Sequence, residues 1–148
     1  MKTLFPILFL LLTCLTANAQ EKTTAQKEVE QTVVSFFDAI SALYFEKMKG
    51  YTKDIQFVEY GEVWDLNVLI DHLKPMLGKG VKRTNQLKFT KTIVYNNAAW
   101  VIYYNTADFL AVNGRKDHVD WLESVTLIKD KGKWKITLLH STELPDKK

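Results

Sequence analysis

The stretch AAWVIYYNTADFLAVNGRKDHVDWLESVTLIKDKGKWKITLLHST, residues 98–142, decides the fold class. Its apolar and aromatic residues recur mostly at every second position, the spacing of strands whose side chains alternate between two faces. Asn113-Gly114 and Asp130-Lys131-Gly132 interrupt the run, and Asn96-Asn97 precedes it. Asn and Gly tolerate the positive φ that hairpin turns require, so these breaks join antiparallel strands expected at 86–95, 98–110, 117–129 and 133–142.

Upstream the period lengthens. Val29, Val33, Phe36, Ile40 and Leu43 step by four, three, four and three, which makes one helical stripe. Phe37 broadens it, and Lys27, Glu28, Glu30 and Gln31 are assigned to the wet side. A short helix at Phe45–Lys49 is expected to stop at Gly50, with a strand at Ile55–Tyr60 and a turn at Gly61-Glu62-Val63-Trp64. Asp65 caps a third helix whose buried face is Leu66, Leu69, Ile70, Leu73 and Leu77, ended by Pro75 and Gly78. The expected architecture is α+β: three N-terminal helices packed on a curved, mostly antiparallel sheet. No internal repeat or Gly-rich phosphate loop occurs.

The first nineteen residues read as a secretory signal rather than as fold. Lys2 precedes an almost unbroken apolar run from Leu4 to Leu15, and Ala17-Asn18-Ala19 is a small-x-small cleavage site before Gln20. The run is shorter than the roughly 20 residues of a spanning helix. Its removal leaves 129 residues and, since Lys2 is the only charge lost, a net charge of +2. The lone cysteine, Cys14, lies in this segment, so the mature chain would have no disulfide and would depend on packing. The alternative is a lipoprotein box, Leu11-Leu12-Thr13-Cys14, with Cys14 acylated, although Thr before the Cys fits poorly. Either reading implies export, to the periplasm or the exterior of a bacterium. The organisation expected is a signal at 1–19, a flexible lead at 20–26, one domain at 27–143 and a polar tail at 144–148.

Of the 148 residues, 47% are hydrophobic, 25% charged and 12% aromatic, which excludes a disordered chain and supplies one core. Twenty basic against 17 acidic residues, evenly scattered, argue for neither nucleic acid nor an anionic membrane as partner. Lys129, Lys131, Lys133 and Lys135 cluster at one hairpin, where a solvated edge that discourages strand pairing is the simpler reading.

Glu123-Ser124, then Gly132-Lys133-Trp134-Lys135-Ile136, then His140-Ser141 resemble the last hairpin of the kinase association domain and of many secreted bacterial relatives within the NTF2-like superfamily. This is the cone-shaped α+β fold of SnoaL-like proteins, ketosteroid isomerases and the association domain of calcium/calmodulin-dependent kinase II. The resemblance spans about Lys27 to Thr142. The isomerase branch implies three roles: a tyrosine donor that falls at about Phe36, which has no donor; a carboxylate base near Glu59, which keeps an acid; and a second acid near Ser124, with Glu123 adjacent. Two of the three are altered, so the usual isomerase mechanism is not implied. The kinase branch implies arginines in a pocket, but the matching positions look like Asn105, Val125 and Ser141, so selectivity for small carboxylates by that route is lost. The superfold hosts many activities, so the resemblance speaks to fold more than to function.

Several residues carry candidate chemistry. Glu123 lies between Trp121 and Val125, where a carboxylate is costly to bury unless it is neutral or bonded. Its alternatives are an acid or ligand-orienting group, or a structural partner of Tyr104, Tyr103 or His140. A two-residue turn at Asn113-Gly114 would set Tyr104 opposite Glu123. A three-residue loop at 130–132, preferred because Lys suits positive φ poorly, would set Glu123 opposite Leu139; a Lys131-Gly132 turn would set it opposite His140. Glu59 and Tyr60, with Trp64 beyond, lie where the resembling fold has its mouth, and suit a pocket for a planar or apolar ligand. Asp117, His118 and Asp120 leave only His118 and Asp120 on one face, and His72 has no companion, so no metal or other cofactor is expected.

The expected site therefore comprises Glu59 and Glu123 as candidate catalytic acids, with Tyr60, Trp64, Tyr103, Asn105, Trp121 and His140 as candidate ligand contacts. Trp100, Ile102 and Tyr104 on one sheet face, and Val101, Tyr103 and Phe109 on the other, call for two coverings, helices and a second copy. The leading expectation is an exported, homodimeric domain that binds a small, largely apolar molecule. An isomerase, dehydratase or cyclase using Glu59 or Glu123 as base, and a non-catalytic dimerisation module, are the alternatives.

Overall fold

A computed structural model describes residues 21–145, so the expected signal, Cys14 and the last three residues of the tail lie outside it. The first helix, α1 (Thr24–Ser41), opens on a capping box: Thr23 and Gln26 each bond the other's backbone N–H. Thr24–Gln26, assigned to the loose lead by sequence, are thus helical. The helix ends in a Schellman motif with Leu43 in the left-handed region at φ 54, Tyr44 N–H donating to Ala39 O and Leu43 N–H to Ile40 O. Leu43 therefore lies beyond the helix it seemed to extend, yet still packs on the core.

Next come α2 (Phe45–Tyr51), β1 (Thr52–Glu59), β2 (Glu62–Trp64) and α3 (Leu66–Leu73), followed by a 3-10 turn at Lys74–Met76. The segment read as a turn is partly a strand: Tyr60-Gly61, both at positive φ, reverse the chain, and Glu62–Trp64 pair back onto β1. The third helix consequently follows two strands, so the helices do not all precede the sheet. Asp65 Oδ1 caps it by accepting from Val68 N–H at 2.9 Å. It stops before Pro75, and Leu77 is exposed, contrary to its assignment to the buried face.

Four long strands complete the chain: β3 (Lys82–Tyr95), β4 (Ala98–Leu110), β5 (Lys116–Asp130) and β6 (Lys133–Glu143). With β1 and β2 they form one six-stranded sheet, ordered β2-β1-β6-β5-β4-β3, in which only the β1–β6 pair is parallel. Val33, Phe36, Phe37 and Ile40 of α1 cover the inner face beside Val101, Tyr103, Val125 and Leu139. Phe36 stacks on Phe57 with centroids 6.2 Å apart, and Phe37 meets Tyr103 edge-on at 6.1 Å. Glu30, placed on the wet side by sequence, is buried: it accepts from Thr92 Oγ1 at 2.5 Å and pairs with Lys22 at 2.7 Å. This polar staple docks α1 on β3.

The register differs from the expectation at both late hairpins. Leu110 pairs with Lys116, leaving a five-residue loop, so Tyr103 and not Tyr104 opposes Glu123. Asp130 pairs with Lys133 across a Lys131-Gly132 turn, both residues at positive φ, and β6 then carries one unpaired residue, Thr137. That bulge moves the partner of Glu123 to Ser141; neither Leu139 nor His140 is opposite. Lys131, at φ 49, occupies a conformation that costs a non-glycine residue on the order of 1 kcal/mol. Lys131→Asn, which accepts this region more readily, should stabilise the protein by a few tenths to about 1 kcal/mol in thermal or chemical denaturation; a loss of stability would contradict the turn assignment.

Candidate functional site

A cavity of about 190 Å³ opens between α1, α3, the β1–β2 turn and the inner face of the sheet. Phe37, Ile40, Phe57 and Leu139 supply apolar wall, and Glu59, Arg83, Glu123 and Ser141 supply polarity. A second hollow of about 250 Å³ adjoins it, sharing Glu59, Tyr60, Trp121 and Ser141 and adding Glu143. A larger groove of about 940 Å³ runs between α1, α2 and the β5–β6 turn, edged by Lys27, Lys47, Lys133 and Lys135.

Strand alternation sets the cavity floor. On β5 the odd residues Trp121, Glu123 and Val125 point inward, as do Tyr103 and Asn105 on β4 and Leu139 and Ser141 on β6. Glu123, 4% exposed, accepts from Ser141 Oγ at 3.0 Å and Asn105 Nδ2 at 3.1 Å. Behind it the bonds continue: Asn85 Nδ2 donates to Asn105 Oδ1 at 2.7 Å, and Asn85 Oδ1 accepts from Arg83 Nε at 2.8 Å and Ser41 Oγ at 3.0 Å. The Tyr103 hydroxyl is fully buried and lies near the Glu123 carboxylate, but no partner meets it in good hydrogen-bond geometry.

The acids are shifted toward neutrality. Burial pushes Glu123 up to about 7; the Ser141, Tyr103 and Asn105 dipoles oppose this, and nearby Glu59 adds to it. Burial also raises Glu59, against the pull of Arg83 and with a push from Glu143. The Glu59 carboxyl makes no hydrogen bond to another described residue. Tyr60, at φ 52, donates its hydroxyl to Glu143 Oε2 at 3.2 Å across the mouth. Trp64 stacks on His72 with centroids 4.5 Å apart and sits 6.3 Å from the Tyr60 ring.

Of the residues expected at the site, Glu59, Glu123, Tyr60, Trp64 and Trp121 line the cavity, while Tyr103 and Asn105 support its floor. His140 does not join them: it pairs with Ser124 and projects from the outer face, because the Thr137 bulge reverses the parity that a bare two-residue turn would impose. Ser124, matched to an isomerase acid, faces outward with it. Arg83 and Asn85 escaped the sequence reading, which set Phe109 on the Tyr103 face but not in the site; carrying the Leu87, Phe89 alternation back two more steps would have placed Asn85 and Arg83 on the inner face. His118 binds Asp108 at 2.7 Å and approaches Asp120 at 3.5 Å. Among the described residues no cluster of three or more His, Cys, Asp or Glu could hold a metal, and no helix is long and apolar enough to cross a membrane.

No protein-family model and no curated protein matches the chain. Solved structures do. An NTF2-like superfamily protein from Salmonella enterica superposes with a TM-score of 0.70 at 19% identity, over 83% of this chain and 93% of that one. A ketosteroid isomerase-like protein from Erwinia carotovora gives 0.68 at 10% identity, over 84% of this chain and all of the other. The CaMKII hub of S. rosetta gives 0.68 at 16% identity, again over 84% and all. The protein has the NTF2-like fold.

The shifted acid makes a pH signature. Glu123 titrates near 7 in the folded chain and near 4.5 when exposed, so between those values only the folded chain holds the proton. The stabilisation is complete below about pH 4.5 and is lost as pH rises through about 7. Glu123→Gln cannot ionise, so it should flatten this decline, by on the order of 3 kcal/mol. Its exchange of an acceptor for a donor costs the same at every pH. Denaturant titrations at about pH 5 and about pH 8 measure the difference; equal pH dependence in both proteins would refute an acid of raised pKa at this position.

Proposed function

We infer that the protein is an exported binding domain whose cavity holds a small, largely apolar molecule and orients one polar group of it with Glu123 and Glu59. Export rests on the signal-like first nineteen residues. Binding rests chiefly on one observation, an apolar cavity with a buried, near-neutral carboxyl on its floor. An acid kept only to lock the sheet would gain from full enclosure; this one borders open space. The volume matters too, since about 190 Å³ is below the usual range of roughly 300–1,000 Å³ for drug-sized ligands. The cavity as it stands suits a ring or a short chain and is too small for a steroid.

Native and denaturing mass spectra of the protein purified from its exporting host test this directly. The expected result is a small non-covalent mass present in the first spectrum and absent from the second. Bare protein at every gentle purification condition would speak against a resident ligand.

A catalytic version of the reading draws on Glu59, an acid without a hydrogen bond that faces the same space as Glu123. Such a pair, one acid bonded and one free, fits general acid–base work of the isomerase, dehydratase or cyclase kind. With the captured molecule as substrate, Glu59→Gln and Glu123→Gln should abolish turnover and leave the circular dichroism spectrum unchanged. Turnover surviving both changes would leave binding alone.

A homodimer is part of the same proposal. The outer sheet face exposes Trp100 and Tyr104, each by 45%, beside Leu122 and Ile128. An apolar patch on a long-stranded sheet favours a second covering. Trp100→Glu combined with Tyr104→Glu should turn a dimer into a folded monomer in sedimentation velocity; a dimer that persists would exclude this face as the interface.

A further inference from the structure

We propose that the cavity is selective for a small carboxylate, whose charged end is held by Arg83. The inference deepens the binding reading above and rests on it.

Arg83 is aimed and then left incomplete. Its Nε donates to Asn85 Oδ1 at 2.8 Å, and its guanidinium lies 5.3 Å from the centroid of the Phe109 ring. These two contacts fix the plane of the guanidinium while it lines the cavity. Of its five N–H donors, the four on the Nη atoms make no hydrogen bond to a described residue, and no carboxylate oxygen lies within 4.0 Å. A cation enclosed this far is costly without a partner.

The protein's own acids do not complete it. Glu59 and Glu123 share the cavity with Arg83, yet each stands beyond ion-pair distance and each is pushed toward its neutral form by burial. Arg83 is therefore a cation in the cavity with no counter-ion in contact, and a ligand anion would supply one. A carboxylate matches the fork of the Nη donors in shape as well as charge. The remaining wall is apolar and takes the body of the ligand. At about 30 Å³ per water the cavity replaces roughly six waters, which limits the ligand to a ring or a short chain bearing the acid.

Ionisable neighbours add a pH dependence to this geometry. The titratable and charged groups facing Glu123 are Glu59 from β1, Arg83 from β3 and Tyr103 from β4, with Tyr60 of the β1–β2 turn and Glu143 of β6 beside Glu59. An anion is repelled once Glu123 ionises, so its affinity should fall as pH rises through about 7. The limiting slope is tenfold per pH unit, the loss of one linked proton.

Benzoate and its uncharged isostere benzamide are suitable probes, titrated by calorimetry into the full protein at about pH 6 and about pH 8. The expected result is benzoate binding at least about tenfold tighter than benzamide at the lower pH, with only benzoate weakening at the higher. Arg83→Gln keeps a donor for Asn85 and should remove the preference for benzoate, bringing the two probes to similar affinity. If that variant fails to fold, the comparison of the two probes in the unaltered protein still decides. Equal affinity for both probes would overturn the carboxylate selectivity and leave a binding cavity in place. Failure of both to bind at millimolar concentration would overturn the selectivity together with the small-ring ligand on which it rests.

Discussion

One extra residue on β6 governs the inner face of the protein. Thr137 is unpaired between the Leu127–Ile136 and Thr126–Leu138 pairs, and every side chain after it is reassigned to the opposite face. With the bulge, Leu139 enters the core and Ser141 reaches Glu123, while His140 goes out. Without it, an imidazole would face the carboxylate and Leu139 would lie on the outer surface. The parallel β1 strand pairs with this same part of β6, Phe57 with Leu139 and Val58 with His140. The position of Glu59 at the mouth thus depends on the same residue.

The second constraint is electrostatic. Three ionisable groups, Glu59, Arg83 and Glu123, share one small apolar space without forming a single close ion pair. A core selected for stability alone would do better with apolar residues of similar volume, or with a contact pair. The polar chain Arg83–Asn85–Asn105–Glu123 holds the groups apart while satisfying the atoms between them. Its cost is a carboxyl whose ionisation opposes folding near neutral pH. Such an arrangement is easier to understand as a site held ready for another molecule than as a device of the fold.

Much of the fold was legible because it follows periodicity. The α1 stripe, the Asp65 cap and four long strands appear in the sequence at nearly their observed places, since apolar spacing and turn residues determine them locally. The failures are of one kind. Glu30 was assigned to water because its partners, Thr92 and Lys22, are supplied by distant or preceding chain. Glu62–Trp64 looked like a turn because three residues carry no period. The polar start of β3 concealed Arg83 and Asn85, whose strand character comes from pairing with Phe109 and Ala107 rather than from propensity.

For the site, the same distinction explains why an incorrect loop at 130–132 still gave the correct face of β6, whereas the two-residue turn expected at Asn113-Gly114 gave the wrong face of β4, Tyr104 in place of Tyr103. The three-residue loop expected at 130–132 and the observed tight turn plus bulge both put Leu139 and Ser141 on the side of Glu123, since each departs by one residue from a regular two-residue hairpin. Parity survives where position does not. Apolar alternation could identify the inner face of β6, because Trp134 and Ile136 precede the bulge and Leu139 follows it. It could not say that a serine hydroxyl would meet the acid. That contact requires the bulge to lie before residue 141, and it falls at Thr137, beside the stretch where the β1–β6 pairing is also irregular, between Thr52–Ile136 and Gln56–Leu138.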